Sequence, residues 1–416
     1  MLPRVDAPEW YPVRLLVVKQ IEEEIPRFPR PSQYIHPESH VNTFHFRPGI
    51  APLSASGRGA RLPAMAKLDW SREELLQDVP TDEPLIAGGV RCHGGFSGGR
   101  YVSPRTANRL PAIHAWQGRL RAEGKPLVDV PRAFVPPHYP NYPQAKLLLQ
   151  EGVRDPITRS LTLISIVEGF GARIRDLALP DLRREVVEDI GGTALAHLGG
   201  GLFEAHARDE AGWRDQGGHK QMWEAARDLG LAKPEIPDDV LLAMMTGGGR
   251  GARRRLFPEL SPRLEEAIAF LANVMIVEIF AEDVFEWAKQ LLGDPEVSAD
   301  PVGAPALVSH IQSDESPHVE YLRTALSELR ARTLRSADGK REIPGRAVVD
   351  GILETQLRQI ASTRPARERN DVQRAIRLAL ADEPAAAELA RRFESLDSGW
   401  TFPKPDDERL VLLQAT

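Results

Sequence analysis

Cysteine is almost missing: among 416 residues only Cys92 carries a thiol. That excludes an internal disulfide framework, a Cys-rich zinc module and a thiolate-held iron–sulfur cluster. No apolar run reaches the ~18 residues that a membrane span requires. A basic excess is lacking too. Lys and Arg number 53 against 59 Asp and Glu, a net charge of −6, so nothing points to a nucleic-acid partner. The opening stretch MLPRVDAPEWYPVRLL has neither the basic start nor the long apolar core of a secretory signal, and a cytoplasmic chain is expected. The run from Thr246 to Gly251 lacks the Gly-Lys-Ser/Thr ending of a phosphate loop and reads as a linker. The neighbouring Arg250, Arg253, Arg254 and Arg255 read as a solvated loop.

What is present is enough for a sizeable core: 42% of residues are hydrophobic and 27% charged, ordinary for a globular protein. Composition changes near residue 145. Residues 1–143 hold 20 of the 35 prolines, and proline removes a backbone donor and fixes φ. Residues 1–145 are therefore expected to form an irregular Pro-rich wrap, with short helices near 72–78 and 105–122. Its histidines, His36, His40, His45, His93, His114 and His138, read as surface or structural. From 146 to 335 the pattern is helical, with helices expected at 155–178, 181–210, 217–229, 236–246, 260–292 and 305–335. Residues 336–416 read as a C-terminal extension with helices at 345–362, 366–381 and 384–396. The fold class is all-α.

Four of the helices carry isolated ionisable groups inside apolar runs. Glu168 is the sole charge from Leu161 to Ala172, and Glu278 the sole charge from Ala267 to Ala281. The helix from Gly191 to His206 reaches its first ionisable groups at His197 and Glu204. The helix from Ala306 to Leu322 offers His310, Asp314, Glu315 and His318. A lone buried carboxylate is costly unless it is paired, protonated or metal-bound. Glu168 precedes Glu204 by 36 residues and Glu278 precedes Glu315 by 37, so two matched helix pairs would bring four acids to one level. Glu315 and His318, three apart, share a helix face. His219, after two glycines, reads as a helix start.

On these residues the chain resembles the ferritin-like di-iron carboxylate superfamily over about residues 155–325. Members place a Glu on one helix, Glu-x-x-His on the next, and then the same pair again. The resemblance implies a four-helix bundle in which Glu168 and Glu278 are the single acids. Glu315 with His318 forms the second Glu-x-x-His, and Glu204 is the acid of the first. Position 207 is Ala, so the nitrogen ligand of the first metal stays open between His197, His206 and none. His310 beside Asp314 is similar to the extra histidine of di-iron arylamine N-oxygenases, with Asp314 a ligand or an acid orienting an imidazole. Glu282, one turn after Glu278, is a further candidate ligand or a surface acid.

Mixed carboxylate and imidazole donors suit iron, with manganese as the alternative. The expected activity is that of a non-haem oxidoreductase holding two irons. It would use dioxygen to hydroxylate, N-oxygenate, desaturate or cleave a small organic substrate, served by an electron donor. No nucleic-acid or membrane partner is expected, and a homodimer is compatible. The rival reading is a metal-free helical scaffold whose acids pair with arginines.

Overall fold

Helix signals in the sequence translate directly into the longest elements. Ser261 caps the longest apolar helix, its Oγ accepting from the Leu264 amide, Pro262 opens the first turn, and Gly293 follows the end. In a computed structural model, residues 67–131, 134–236, 240, 255–380 and 383–401 are described. The Gly-rich run, Arg250, Arg253, Arg254, most of the expected 236–246 helix, and His36, His40 and His45 lie outside them.

The described elements run in the order α1 (Arg72–Leu75), β1 (Glu83–Ala87), β2 (Val90–Ser97), β3 (Arg100–Val102), α2 (Arg109–Ala122), α3 (Tyr142–Gln150) and α4 (Asp155–Gly171). Then come α5 (Leu182–Glu185), α6 (Ala194–His197), α7 (Phe203–Ala211), α8 (His219–Gly230), α9 (Pro262–Leu292) and α10 (Gly303–Arg330). A short hairpin of β4 (Thr333–Arg335) and β5 (Glu342–Pro344) leads into α11 (Gly345–Ala379) and α12 (Glu383–Ser395). The chain is mostly helical, as expected. Among the described residues no helix is long and apolar enough to cross a membrane.

Three differences from the sequence reading have local causes. First, the proline-rich region contains an antiparallel sheet in the order β1-β2-β3. Its turns are the pairs Gly88-Gly89 and Gly98-Gly99, all at positive φ, the conformation that two-residue hairpin loops require. Second, the helix expected over 181–210 is broken into α5, α6, a π-turn at Leu198–Leu202 and α7. Gly201 sits there at φ 148°, which no helical residue adopts. Third, the two helices expected over 345–381 are one, α11.

The described residues belong to one unit spanning Pro63–Thr416. Within it α9 packs on α10, α10 on α8, and α8 on α4, while α7 packs on α4 and α11 on α9 and α10. Two apolar clusters form. One gathers Leu264, Ile268, Leu271 and Met275 of α9 with Leu322, Leu326 and Leu329 of α10. The other gathers Phe285 and Leu291 of α9, Leu307 and Ile311 of α10, Leu161 of α4 and Trp223 of α8. Burying each such side chain contributes ~1.5–3 kcal/mol. Along both long helices the clusters leave a gap at 278 and at 314–318, and that gap is polar.

Glu328 near the end of α10 ties this frame to α6. Its two oxygens accept from the amides of Ala194 and Leu195. Burial pushes its carboxyl up to about 7, against the pull of the Leu195 amide, Arg332 and the Ala194 amide. The folded protein therefore holds this proton more tightly than the unfolded chain does. Stability from this group is greatest below the ordinary carboxyl range and falls as pH rises toward 7, by up to about 3 kcal/mol. Glu328→Gln should flatten that loss. Urea unfolding at pH 5 and pH 8 checks it, and an unchanged pH difference in the variant would contradict it.

Candidate metal centre

The polar gap is filled by side chains from five helices. Glu168 comes from the last turn of α4, His206 and Glu210 from α7, and His219 from the first turn of α8. Glu278 comes from the middle of α9, and Glu315 and His318 from the middle of α10. His206 and Glu210 are four apart, hence on one helix face. The short loop after α7 then brings His219 in beside Glu210. All seven are buried or nearly so, the most open being Glu168 at 12% and Glu278 at 10%.

Glu210 Oε1 lies at the centre, 3.2 Å from His318 Nδ1, 3.3 Å from His219 Nδ1 and 3.8 Å from His206 Nε2. His206 Nε2 is 3.5 Å from Glu278 Oε1. His219 Nδ1 is 2.9 Å from Glu315 Oε1 and 3.7 Å from Glu168 Oε2, and His318 Nδ1 is 2.7 Å from Glu315 Oε2. Donors held at ~2.0–2.2 Å from one ion stand roughly 3–3.5 Å apart, and the separations here, from 2.7 to 3.8 Å, bracket that range. Two groups could each hold a metal ion: His206, Glu210, Glu278 and His318, and Glu168, Glu210, His219 and Glu315. Glu210 is common to both.

Outer contacts fix the imidazoles. His318 Nε2 bonds Asp209 Oδ2 at 2.9 Å. Asp209 is in turn held by the Arg105 guanidinium, with Nε donating at 2.9 Å, and by Arg109 Nη2 at 2.7 Å. His206 Nδ1 shares a hydrogen bond with the Tyr321 hydroxyl at 3.2 Å. Trp223 Nε1–H donates to Glu168 Oε1 at 3.1 Å. Such partners set which ring nitrogen faces a metal. Gly171 clears the space: a Cβ there would stand 2.6 Å from Glu210 Cγ.

The electrostatics are those of crowded, desolvated acids. Burial and the Glu210 charge raise the Glu168 carboxyl well above its usual range. Burial, Glu315 and Glu210 do the same to Glu278. Glu210 goes well down despite burial, because His219 lies beside it. His219 and His318 go up against the cost of burial, driven first by Glu315. Burial and the neighbouring His318 push His206 down to about 3. Several inward-facing atoms have no hydrogen-bond partner: His206 Nε2, Glu210 Oε1, His219 Nδ1 and Glu315 Oε1. Buried polar atoms are normally paired. His206 Nε2 lies on one side of Glu210 Oε1, and His219 Nδ1 with Glu315 Oε1 on the other, one in each of the two groups, so the donor set fits a metal.

Among the residues singled out from sequence, Glu168, Glu278, Glu315 and His318 are brought together. Asp314 lies at the edge, fully buried, in a third group with His93 and His219. Glu204 is elsewhere. It pairs with Arg208 at 2.8 Å, near Arg72 and Arg175, because six residues separate it from Glu210 and a helix turns by ~120° net over that span. Glu282 is exposed and accepts from Gln312, one turn beyond the cluster. His310 is half-buried and stacks on Tyr101 with ring centroids 4.3 Å apart. His197 bonds the Thr193 carbonyl and accepts from the Trp70 amide. Of the open choices for a nitrogen donor, His206 is the one that faces the cluster.

Glu210, His219 and His93 were missed. Glu210 sits in the charged stretch from Glu204 to Asp215, which reads as a solvated face, and the i, i+4 pair His206/Glu210 was the available signal. His93 lies on the overlooked β2. Gly95-Phe96-Ser97-Gly98-Gly99 spells the pattern of a nucleophile elbow, but Ser97 ends β2 at a hairpin turn, not at a strand-to-helix turn. No family model, curated protein or solved structure matches the chain.

The geometry predicts a contrast between two neighbouring glutamates. Glu210→Gln and Gly171→Ala should each lower bound metal by at least half, with helix content unchanged by circular dichroism. Glu204→Gln should leave metal content intact. Equal loss in all three variants would contradict the placement.

Proposed function

We propose that the chain is a non-haem di-iron oxidoreductase that uses dioxygen to oxidise a small organic molecule. One observation carries the reading: four carboxylates and three imidazoles converge in the core with inward-facing atoms that lack partners. Among the described residues no Lys or Arg pairs with Glu168, Glu210, Glu278 or Glu315, whereas Asp209 next door has two arginines. The metal-free scaffold reading required arginine-paired acids, so it loses its main support. Carboxylate and imidazole donors without thiolate favour iron, or manganese, over soft metals.

The arrangement of α4, α8, α9 and α10 supports a ferritin-like bundle, with one departure. The first Glu-x-x-His of the family resemblance is replaced by His206 and Glu210 of α7 together with His219 of α8. Three imidazoles with four carboxylates favour the likeness to three-histidine N-oxygenases, and hence an oxygen-transfer reaction on a small substrate.

Each group has a definable task. Glu210 is placed to bridge the two halves of the site. Glu278 with His206 and His318 would hold one ion, and Glu168 with His219 and Glu315 the other. Asp209, fixed by Arg105 and Arg109, keeps the proton on His318 Nε2 and so leaves Nδ1 as the donor. Trp223 orients Glu168. A bound iron pair would supply electrons to dioxygen, with an external donor restoring them.

Anaerobic loading with ferrous iron, followed by metal analysis and an oxygen-electrode trace, tests the reading. At least two irons per chain and rapid dioxygen uptake are expected; Glu210→Gln should lose at least half of the iron and slow the uptake at least tenfold. A chain that takes up no iron, or iron-loaded protein inert to dioxygen, would overturn it.

A further inference from the structure

The two aspartates just outside the cluster differ in a way that the di-metal reading does not use. Asp209 touches His318, and its charge is met by Arg105 and Arg109. Asp314 is equally buried, at 0% exposure, yet among the described residues its ion-pair partners are only His93 and His219. Its Oδ2 accepts from the Tyr101 hydroxyl at 2.7 Å. His93 Nε2 shares a hydrogen bond with the same oxygen at 3.2 Å, and His219 Nε2 stands 3.5 Å from it. Charge-assisted hydrogen bonds from N–H to carboxylate are shorter, ~2.7–2.9 Å, as His318 to Asp209 is. Asp314 Oδ1 and His219 Nε2 are buried without any hydrogen-bond partner. A carboxylate that only oriented His219 would leave neither atom unmet.

We propose that His93, His219 and Asp314 form a third metal site, holding one divalent first-row ion beside the iron pair. It rests on the di-iron reading in one respect, that His219 serves both sites, with Nδ1 toward the pair and Nε2 toward the third ion. One donor atom from each of the three residues lies within 4.8 Å of the others, as in the two groups around Glu210. Two imidazoles and one carboxylate form a donor set suited to Fe(II) or Zn(II), with positions left open. Binding there takes the proton from His219 Nε2 and passes it to solvent, leaving an imidazolate between ions.

The fold builds this site deliberately. The His93 amide donates to the Gly217 carbonyl at 2.9 Å, and the Gly217 amide donates to the Arg91 carbonyl at 2.8 Å. Strand β2 is thus stitched to the residues just before α8, and His93 and His219 meet with ring centroids 5.1 Å apart at 79°. Gly94, at φ +70°, lets Tyr101 lie over this point; a Cβ there would stand 2.5 Å from the tyrosine oxygen. The ion would fasten the β-hairpin over the di-metal centre.

Metal counting on the full chain, loaded anaerobically with ferrous iron and separately with zinc, tests the site. Wild type is expected to hold three ions per chain, and His93→Gln two, with dioxygen uptake retained at a measurable level. Asp314→Asn gives the same count if His93→Gln is insoluble. Two ions in wild type and two in His93→Gln would overturn the third site and leave the pair standing. One ion that survives Glu278→Gln but not His93→Gln would support the third site and sink the pair. One ion lost only in Glu278→Gln, or no ion at all, would overturn the third site.

Discussion

Glu210 is the point on which the rest of the structure turns. Its Oε1 lies within 3.8 Å of a nitrogen on each of three histidines, and every other inward acid is arranged around it. Seven ionisable groups in a desolvated space repel, protonate or find a cation. The raised carboxyls of Glu168 and Glu278 and the raised imidazoles of His219 and His318 are what that crowding does to the protein's own groups. A cluster of this kind persists because apolar packing on both sides of it offsets the cost. Leu264 to Met275 stand on one side and Phe285 to Leu292 on the other, along the same helix.

Several local oddities follow from that one constraint. Gly171 ends α4 where any side chain would displace Glu210. The chain between α5 and α7 abandons a continuous helix through Gly201, which re-aims α7 so that His206 and Glu210, rather than Glu204, face inward. Arg105 and Arg109 are buried, an expensive placement for guanidinium groups, and their charge is spent on Asp209. Strand β2 reaches across from the proline-rich region and brings His93 beside Asp314.

The helical frame was legible because it is periodic and punctuated: Ser261-Pro262 and Gly293 bound α9 within two residues of the expected span. Glu168, Glu278, Glu315 and His318 were legible as site candidates because a charge inside an apolar helix is conspicuous. Glu210 and His219 were not, because their neighbours are charged or glycine and nothing local separates a buried acid from a solvated one. Asp209 and Glu210 are buried by tertiary contacts alone. Glu204 was favoured for its spacing, but spacing assumes an unbroken helix, and the run Gly199-Gly200-Gly201 breaks it. The sheet was overlooked because its strands are short and proline density suggested irregular chain, although the two Gly-Gly pairs marked its turns.

The central claim is that Glu210 joins two metal ions in one buried site. Anomalous diffraction at the iron edge, on crystals of iron-loaded protein, tests it most directly. The account predicts a close pair of strong peaks, one among His206, Glu278 and His318 and one among Glu168, His219 and Glu315, with Glu210 touching both, distinct from any third peak at His93 and Asp314. A single peak away from Glu210, or ordered side chains at these positions with no anomalous signal between them, would contradict it.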